Sequence, residues 1–145
     1  MKPGKPVECI KDATGKIIEF TIERSRWARV HPEPTKIGNN QVYTRPCGSS
    51  LLLNDVGGMC CLGFYARACG IDPADIFYHP GPRSLNSRLR PSQMNWLLES
   101  NDGDRLMSTN DLSSPGVGLL VSPEDQEKEI KKSFAKHGVK VSFVS

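Results

Sequence analysis

Two adjacent cysteines, Cys60 and Cys61, follow Gly57, Gly58 and Met59 where an apolar run opens toward Ile71. A thiol in the first turn of a helix feels the positive end of the helix dipole, which favours the thiolate and so nucleophilic attack. Glycines ahead of it would let a substrate approach the backbone. The same residues have a packing account, because a free cysteine behaves as a small, readily buried hydrophobe. Cys61, Tyr65, Ala68 and Cys69 recur at helical spacing, and Leu62 and Ala66 widen that face. The expectation adopted is packing: one cysteine of the pair turns inward beside Tyr65 and Ala68, and Gly63 marks a close backbone neighbour.

The chain has five cysteines, so at least one stays unpaired within a monomer. A disulfide between Cys60 and Cys61 would close a strained ring, and free thiols are expected in a reducing cytosol. Zinc sites announce themselves through C-x-x-C or close Cys and His pairs, and none is present. Cys61 and Cys69 would stand about 12 Å apart on one helix, too far to share an ion. Cys47, Cys60, His31 and His79 would converge only by accident of folding. Asp102-Gly103-Asp104 lacks the ligand ladder of a calcium loop and reads as a turn. No metal and no cofactor are expected.

Two segments have the composition of binding surfaces. FYHPGPRSLNSRLR holds Phe77, Tyr78, Arg83, Arg88 and Arg90 in a proline-rich loop, where aromatic and arginine side chains would anchor a protein partner; its structural account is an ordinary crossover loop with the aromatics tucked inward. RSRWARV places Arg24, Arg26 and Arg29 around Trp27, a basic surface with one ring on which a base could stack. Its structural account is a solvated face over a core tryptophan. The net charge of +3 is modest for a dedicated nucleic-acid binder.

The elements that must position these residues follow from pattern. The sequence of 145 residues has 37% hydrophobic and 24% charged residues, which fits a globular protein with a single core. No apolar run is long enough to span a bilayer, and MKPGKPVECIKD lacks the apolar core of an export signal; a cytoplasmic location is expected. Residues 1–6 read as a loose start and 7–145 as one domain. VECIKDATGKIIEFTIE reads as a β-hairpin turning at Asp12-Ala13-Thr14-Gly15, with Ile18, Phe20 and Ile22 alternating against Glu19, Thr21 and Glu23. HPEPTKIGNN reads as a loop, QVYTRPCGSS is ambiguous, and SLLLN reads as a strand. Met59 to Cys69 is the central helix with Gly70 as its left-handed cap, and Asp72-Pro73 opens a short helical turn through Ile76. Phe77 to Pro91 is expected to be irregular and exposed, and PSQMNWLLES to be helical with Met94, Leu97 and Leu98 on one side. NDGDRLMSTNDLSSPGVG holds at most one short strand around Leu106 and Met107, and GLLVS reads as another strand. Ser122-Pro123-Glu124-Asp125 caps a helix to about His137, stopped by Gly138, with Ile130 and Phe134 as its narrow apolar stripe. Val139, Val141 and Phe143 alternate in a final strand. The fold class is α+β.

GMCCLGFYARACGI resembles the nucleophile helix of papain-like cell-wall peptidases of the NlpC type. That resemblance implies Cys61 (or Cys60) as the nucleophile and His137, at the start of the closing strand, as its base. The sequence departs from the family at Cys60, where an aspartate is usual, and at Leu62, where a serine is usual. A second resemblance covers about two thirds of the chain. RSRWARV, SSLLLNDVGG, MCCLGF, STNDL and EKEIKKSFAKHGVKVSFV are together similar to short, uncharacterised phage and mobile-element proteins. It implies no activity but a setting: small accessory proteins, some of which bind host machinery.

The expectation from sequence is therefore a cytoplasmic α+β protein without catalytic activity of its own. It would act by binding a partner, a host-encoded protein in the phage setting, where the cytoplasm is the host cell's. A thiol hydrolase using Cys61 and His137 is the first alternative, and a nucleic-acid-binding accessory protein using Arg24, Arg26, Trp27 and Arg29 the second. No membrane partner is expected.

Overall fold

The computed structural model describes residues 6–27, 33–37, 40–44, 52, 58–79, 81, 85, 88, 90–99, 103, 106 and 123–145. The protein is α+β. Strands β1 (Cys9–Lys11) and β2 (Ile17–Glu23) form the N-terminal hairpin, and β5 (Lys140–Val144) pairs with the other side of β2. The β1–β2 pairing is antiparallel and the β2–β5 pairing parallel, with Phe20 opposite Val141 and Ile22 opposite Phe143. The hairpin turn is held by Asp12, whose carboxylate accepts from the Thr14 amide at 2.9 Å, the Thr14 hydroxyl at 2.6 Å and the Lys16 amide at 3.0 Å. The hydroxyl bond is the first reason the Asp12 carboxyl lies below its ordinary range.

The alternation expected along β2 breaks at its start. Ile17, Phe20 and Ile22 are buried, whereas Ile18 is 38% exposed. Cys9 faces Phe20 and Ile10 faces Glu19, but Lys11 faces Ile17, so Ile18 is an extra residue in the ladder. Such a bulge turns one side chain out and lets residues three apart share the inner face.

The central helix α1 (Cys61–Ala68) packs against β2, and helix α4 (Pro123–Ala135) packs against β5. Seven of α1's residues are buried, including Cys61, Phe64 and Tyr65, the pattern of a helix enclosed within a core. Both helices end alike. Gly70 has φ +97° and its amide donates to the Arg67 carbonyl, while the Ile71 amide donates back to Ala66. Gly138 has φ +75°, with Gly138 bonded to Ala135 and Val139 to Phe134. This is the Schellman arrangement, and in each case the next residue, Ile71 or Val139, is buried.

On α4, Ile130 and Phe134 face inward as expected, joined by Gln126 and Ser133. Phe134 is the hub of an aromatic cluster. It meets Phe20 edge-on at 5.0 Å between centroids, Tyr65 at 5.1 Å and Trp96 at 5.6 Å. Helix α2 (Pro73–Ile76) is capped by Asp72, whose side chain accepts from the Ala74 amide at 2.9 Å.

Several expectations are corrected. HPEPTKIGNN is not simply a loop: β3 (Glu33–Ile37) pairs antiparallel with β4 (Asn40–Thr44), Ile37 opposite Asn40. PSQMNWLLES is not one helix but a 3-10 turn, Ser92–Met94, followed by one helical turn, α3 (Trp96–Glu99). Met94 and Leu97 are buried, and Leu98 is half-buried. Leu106 is helical rather than in a strand, and Gly103 is helical where a turn was expected. Of SLLLN only Leu52 is described, a buried bend residue whose amide donates to the His79 carbonyl at 2.8 Å. The GLLVS strand, the Ser122 cap, Met107, His31 and Cys47 lie outside the described residues.

Candidate functional site

The segment before α1 is fixed by its neighbours. Met59 forms a parallel bridge with Trp27, its amide donating to the Arg26 carbonyl at 3.0 Å. This brings Cys60 to the N-cap position and Cys61 to the first residue of α1. Both cysteines are buried, so the expectation of one inward member is exceeded. The Cys61 sulfur lies 3.9 Å from the Leu106 carbonyl oxygen. Gly63 does mark a close approach: a Cβ built there would fall on the Leu52 carbonyl oxygen, and within 3.0 Å of the Met59 Cβ.

His137 follows α4 in its capping turn. Its imidazole stacks on the Trp96 indole with centroids 4.0 Å apart and planes 13° from parallel. Trp96 donates its indole N–H to the Tyr65 hydroxyl at 3.2 Å, and that hydroxyl donates to the Gln93 carbonyl at 3.1 Å. Burial, first of all, raises the Tyr65 phenol above its ordinary pKa. Trp96 and His137 form one wall of an open cleft of about 660 Å³, with Lys16, Ser92, Asn95 and Glu99 around it.

At the C-terminal end of α1, burial pushes the Cys69 thiol up to about 12. In the unfolded chain this thiol titrates near 9, so the folded state holds a proton that the unfolded state releases. The associated stability is complete below about pH 9 and is lost as pH rises toward 12. Alkaline unfolding, followed by circular dichroism between pH 8 and 11, should therefore be less steep in Cys69→Ala.

Arg24 and Arg26 lie in the 3-10 turn Arg24–Arg26. Arg24 holds Glu127 through two bonds of 2.8 Å, which raises its pKa, and Arg26 pairs with Glu23 at 3.3 Å. Their guanidiniums lie over Phe143 and Phe64, at 5.7 and 5.8 Å from the ring centres. Arg67 is nearby, its pKa lowered by burial first and by Arg26 second. Trp27 is buried, its ring 4.9 Å from that of Phe143. It is a core residue here and presents no open ring for stacking. Arg29 lies outside the described residues.

In the proline-rich segment, Phe77 is half-buried and Tyr78 is 53% exposed, their rings edge to face at 4.5 Å. Tyr78 has φ +62°, the only non-glycine residue in the left-handed region among those described. An ordinary L-residue pays about 1–2 kcal/mol to sit there. The turn is tied through His79: its amide donates to the Ile76 carbonyl at 3.2 Å, and its carbonyl accepts from the Leu52 amide. Arg88 is exposed. Arg90 is half-buried, with one guanidinium nitrogen 3.4 Å from the Leu85 carbonyl and its Nε buried without a partner among the described residues. The segment is less open than expected, since Gly81 and Leu85 are buried. Arg83 lies outside the described residues. Sequence reasoning found Tyr78 by composition but had no signal for its backbone conformation.

Among the described residues no group of three His, Cys, Asp or Glu side chains is placed to hold a metal ion, and no helix is long and apolar enough to cross a membrane. Comparison with protein-family models, with curated proteins and with solved structures finds no match to this chain.

Proposed function

We propose that this protein acts by binding a partner protein, as a small accessory protein of a phage or mobile element working in the host cytoplasm, with Tyr78 as an anchor. The observation that carries this reading is an exposed aromatic ring in a costly backbone conformation, within a turn closed and anchored through His79. Strain of this kind persists where the surroundings impose it, and it collects at binding sites. Tyrosine supplies large contact area on two rotatable bonds, which is why it anchors interfaces.

A photoreactive phenylalanine analogue at position 78, introduced in living host cells, should capture one host protein that the same probe at Lys128 does not. Equal capture at both positions, or none, would refute the anchor. Tyr78→Gly should abolish that association, scored by co-purification with the captured protein, while stability is unchanged or raised by up to about 1 kcal/mol.

The thiol-hydrolase alternative needs Cys61 in contact with substrate, and its burial counts against that role. In the native protein Cys9 should react with iodoacetamide within minutes, whereas Cys60 and Cys61 should react only at the rate of unfolding. Rapid alkylation of Cys61 below neutral pH, lost in His137→Ala, would instead favour the hydrolase. The nucleic-acid alternative draws on Arg24 and Arg26, both already engaged with glutamates, and on a tryptophan that is enclosed.

A further inference from the structure

Cys9 and Cys69 are brought together by β1 and the end of α1. Cys9 is exposed on a three-residue strand, and its sulfur lies 4.0 Å from the carbonyl oxygen of Ala68, the residue before Cys69. Ordinary peptide dimensions put that oxygen about 2.8 Å from the Cys69 Cα, so the Cys9 sulfur is within about 7 Å of that atom. Cys69 is half-buried at the C-cap, just before the Gly70 turn. Cys9 is close enough to add to the rise of the Cys69 thiol, behind burial as the main cause. Cys60 and Cys61 are buried and do not compete for Cys9.

We propose that Cys9 and Cys69 form a disulfide when the folded protein meets a small-molecule disulfide oxidant such as oxidised glutathione, tying β1 to the end of α1. In a disulfide each sulfur lies about 4 Å from the partner's Cα, so closure needs a side-chain rotation and an approach of up to about 3 Å. Strand β1 can supply the shift, because it is short and its register with β2 is irregular between Ile10 and Lys11.

In the first step the Cys9 thiolate attacks one glutathione sulfur. The glutathione S–S bond breaks, and one glutathione leaves as a thiolate that takes up a proton. Cys69 then gives its proton to solvent and attacks the Cys9 sulfur of the mixed disulfide, releasing the second glutathione. Two protein thiols are oxidised and one glutathione disulfide is reduced to two thiols. With the Cys69 thiol pushed up to about 12, the second step is slow at neutral pH and quickens about tenfold per pH unit below that value.

The test is to incubate the reduced, folded protein with oxidised glutathione at pH 7 and pH 8, quench with acid, alkylate in denaturant and map linkages by mass spectrometry without reduction. The expected product is a Cys9–Cys69 linkage, formed about ten times faster at pH 8. It should be absent in Cys9→Ser and in Cys69→Ser, and should raise Tm by several degrees over the reduced protein. Cys9→Ser, altered at an exposed site, keeps the fold, so loss of the linkage there reads the chemistry alone. A stable Cys9–glutathione adduct with Cys69 still open to alkylation would overturn the proposal. So would a dominant linkage to Cys47, Cys60 or Cys61, or an oxidised protein with unchanged or lower Tm.

Discussion

Gly63→Ala is expected to destabilise the protein by about 1–3 kcal/mol and to lower Tm by about 3–10 °C, although alanine is the better helix former by about 1 kcal/mol. The new methyl would land on the Leu52 carbonyl oxygen, and the nearby Leu52 carbon (2.9 Å) and Met59 Cβ (3.0 Å) leave it nowhere to turn. A flexible side chain would swing away, but here the obstacle is backbone. Leu52 is buried, and its amide is bonded to the His79 carbonyl. Moving Leu52 therefore pulls on the turn that presents Tyr78, and the variant should lose affinity for the partner captured at position 78 as well as stability. Urea melts measure the first effect and quantitative co-purification the second. A loss of stability under 1 kcal/mol would mean that Leu52 gives way freely.

The loss from Phe134→Ala should be larger still, about 3–5 kcal/mol, the range for emptying a buried aromatic site. Three rings, Phe20, Tyr65 and Trp96, lean edge-on against Phe134, and they come from β2, α1 and α3 respectively. The cavity would thus open between elements and could not be closed by one of them moving. Phe134→Leu keeps most of the volume and should cost less than half as much. Ile18→Ala, at the bulged residue turned toward solvent, should change stability by under about 0.5 kcal/mol. Denaturant titration of the three variants ranks them, and a cost at Ile18 matching that at Phe134 would contradict the burial pattern.

Local signals were legible where one residue type has one physical job. Asp12 with Gly15, Asp72 with Pro73, and the glycines after α1 and α4 each marked an element boundary that the structure keeps. What pattern could not reveal was set by neighbours distant in the chain. Ile18 turns outward because of the register with β1, and a period-two reading had put it with Phe20. Pro32 and Pro34 argued for a loop, yet Pro34 stands opposite Tyr43 in β3; a proline is tolerated where its missing N–H is not needed by a partner strand. Gly38-Asn39, between the two runs, is of the dipeptide class that joins two-residue hairpins. At the candidate site, composition singled out Phe77 and Tyr78, and Cys60 and Cys61 were correctly expected to serve packing in part. Trp27 could be read as either surface or core from the arginines around it, and only its contact with Phe143 in the last strand decides.

The place of β2 between β1 and β5 bears on how this chain reaches its native state. The β1–β2 hairpin needs only a short turn and can close within microseconds, but the other side of β2 must wait for residues 140–144, more than a hundred positions later. As the chain leaves the ribosome, this side of β2 stays unpaired until residues 140–144 have emerged. Closing so long a loop carries an entropic toll that slows the search, so productive folding should begin only after α4 has emerged and delivered β5 to its slot.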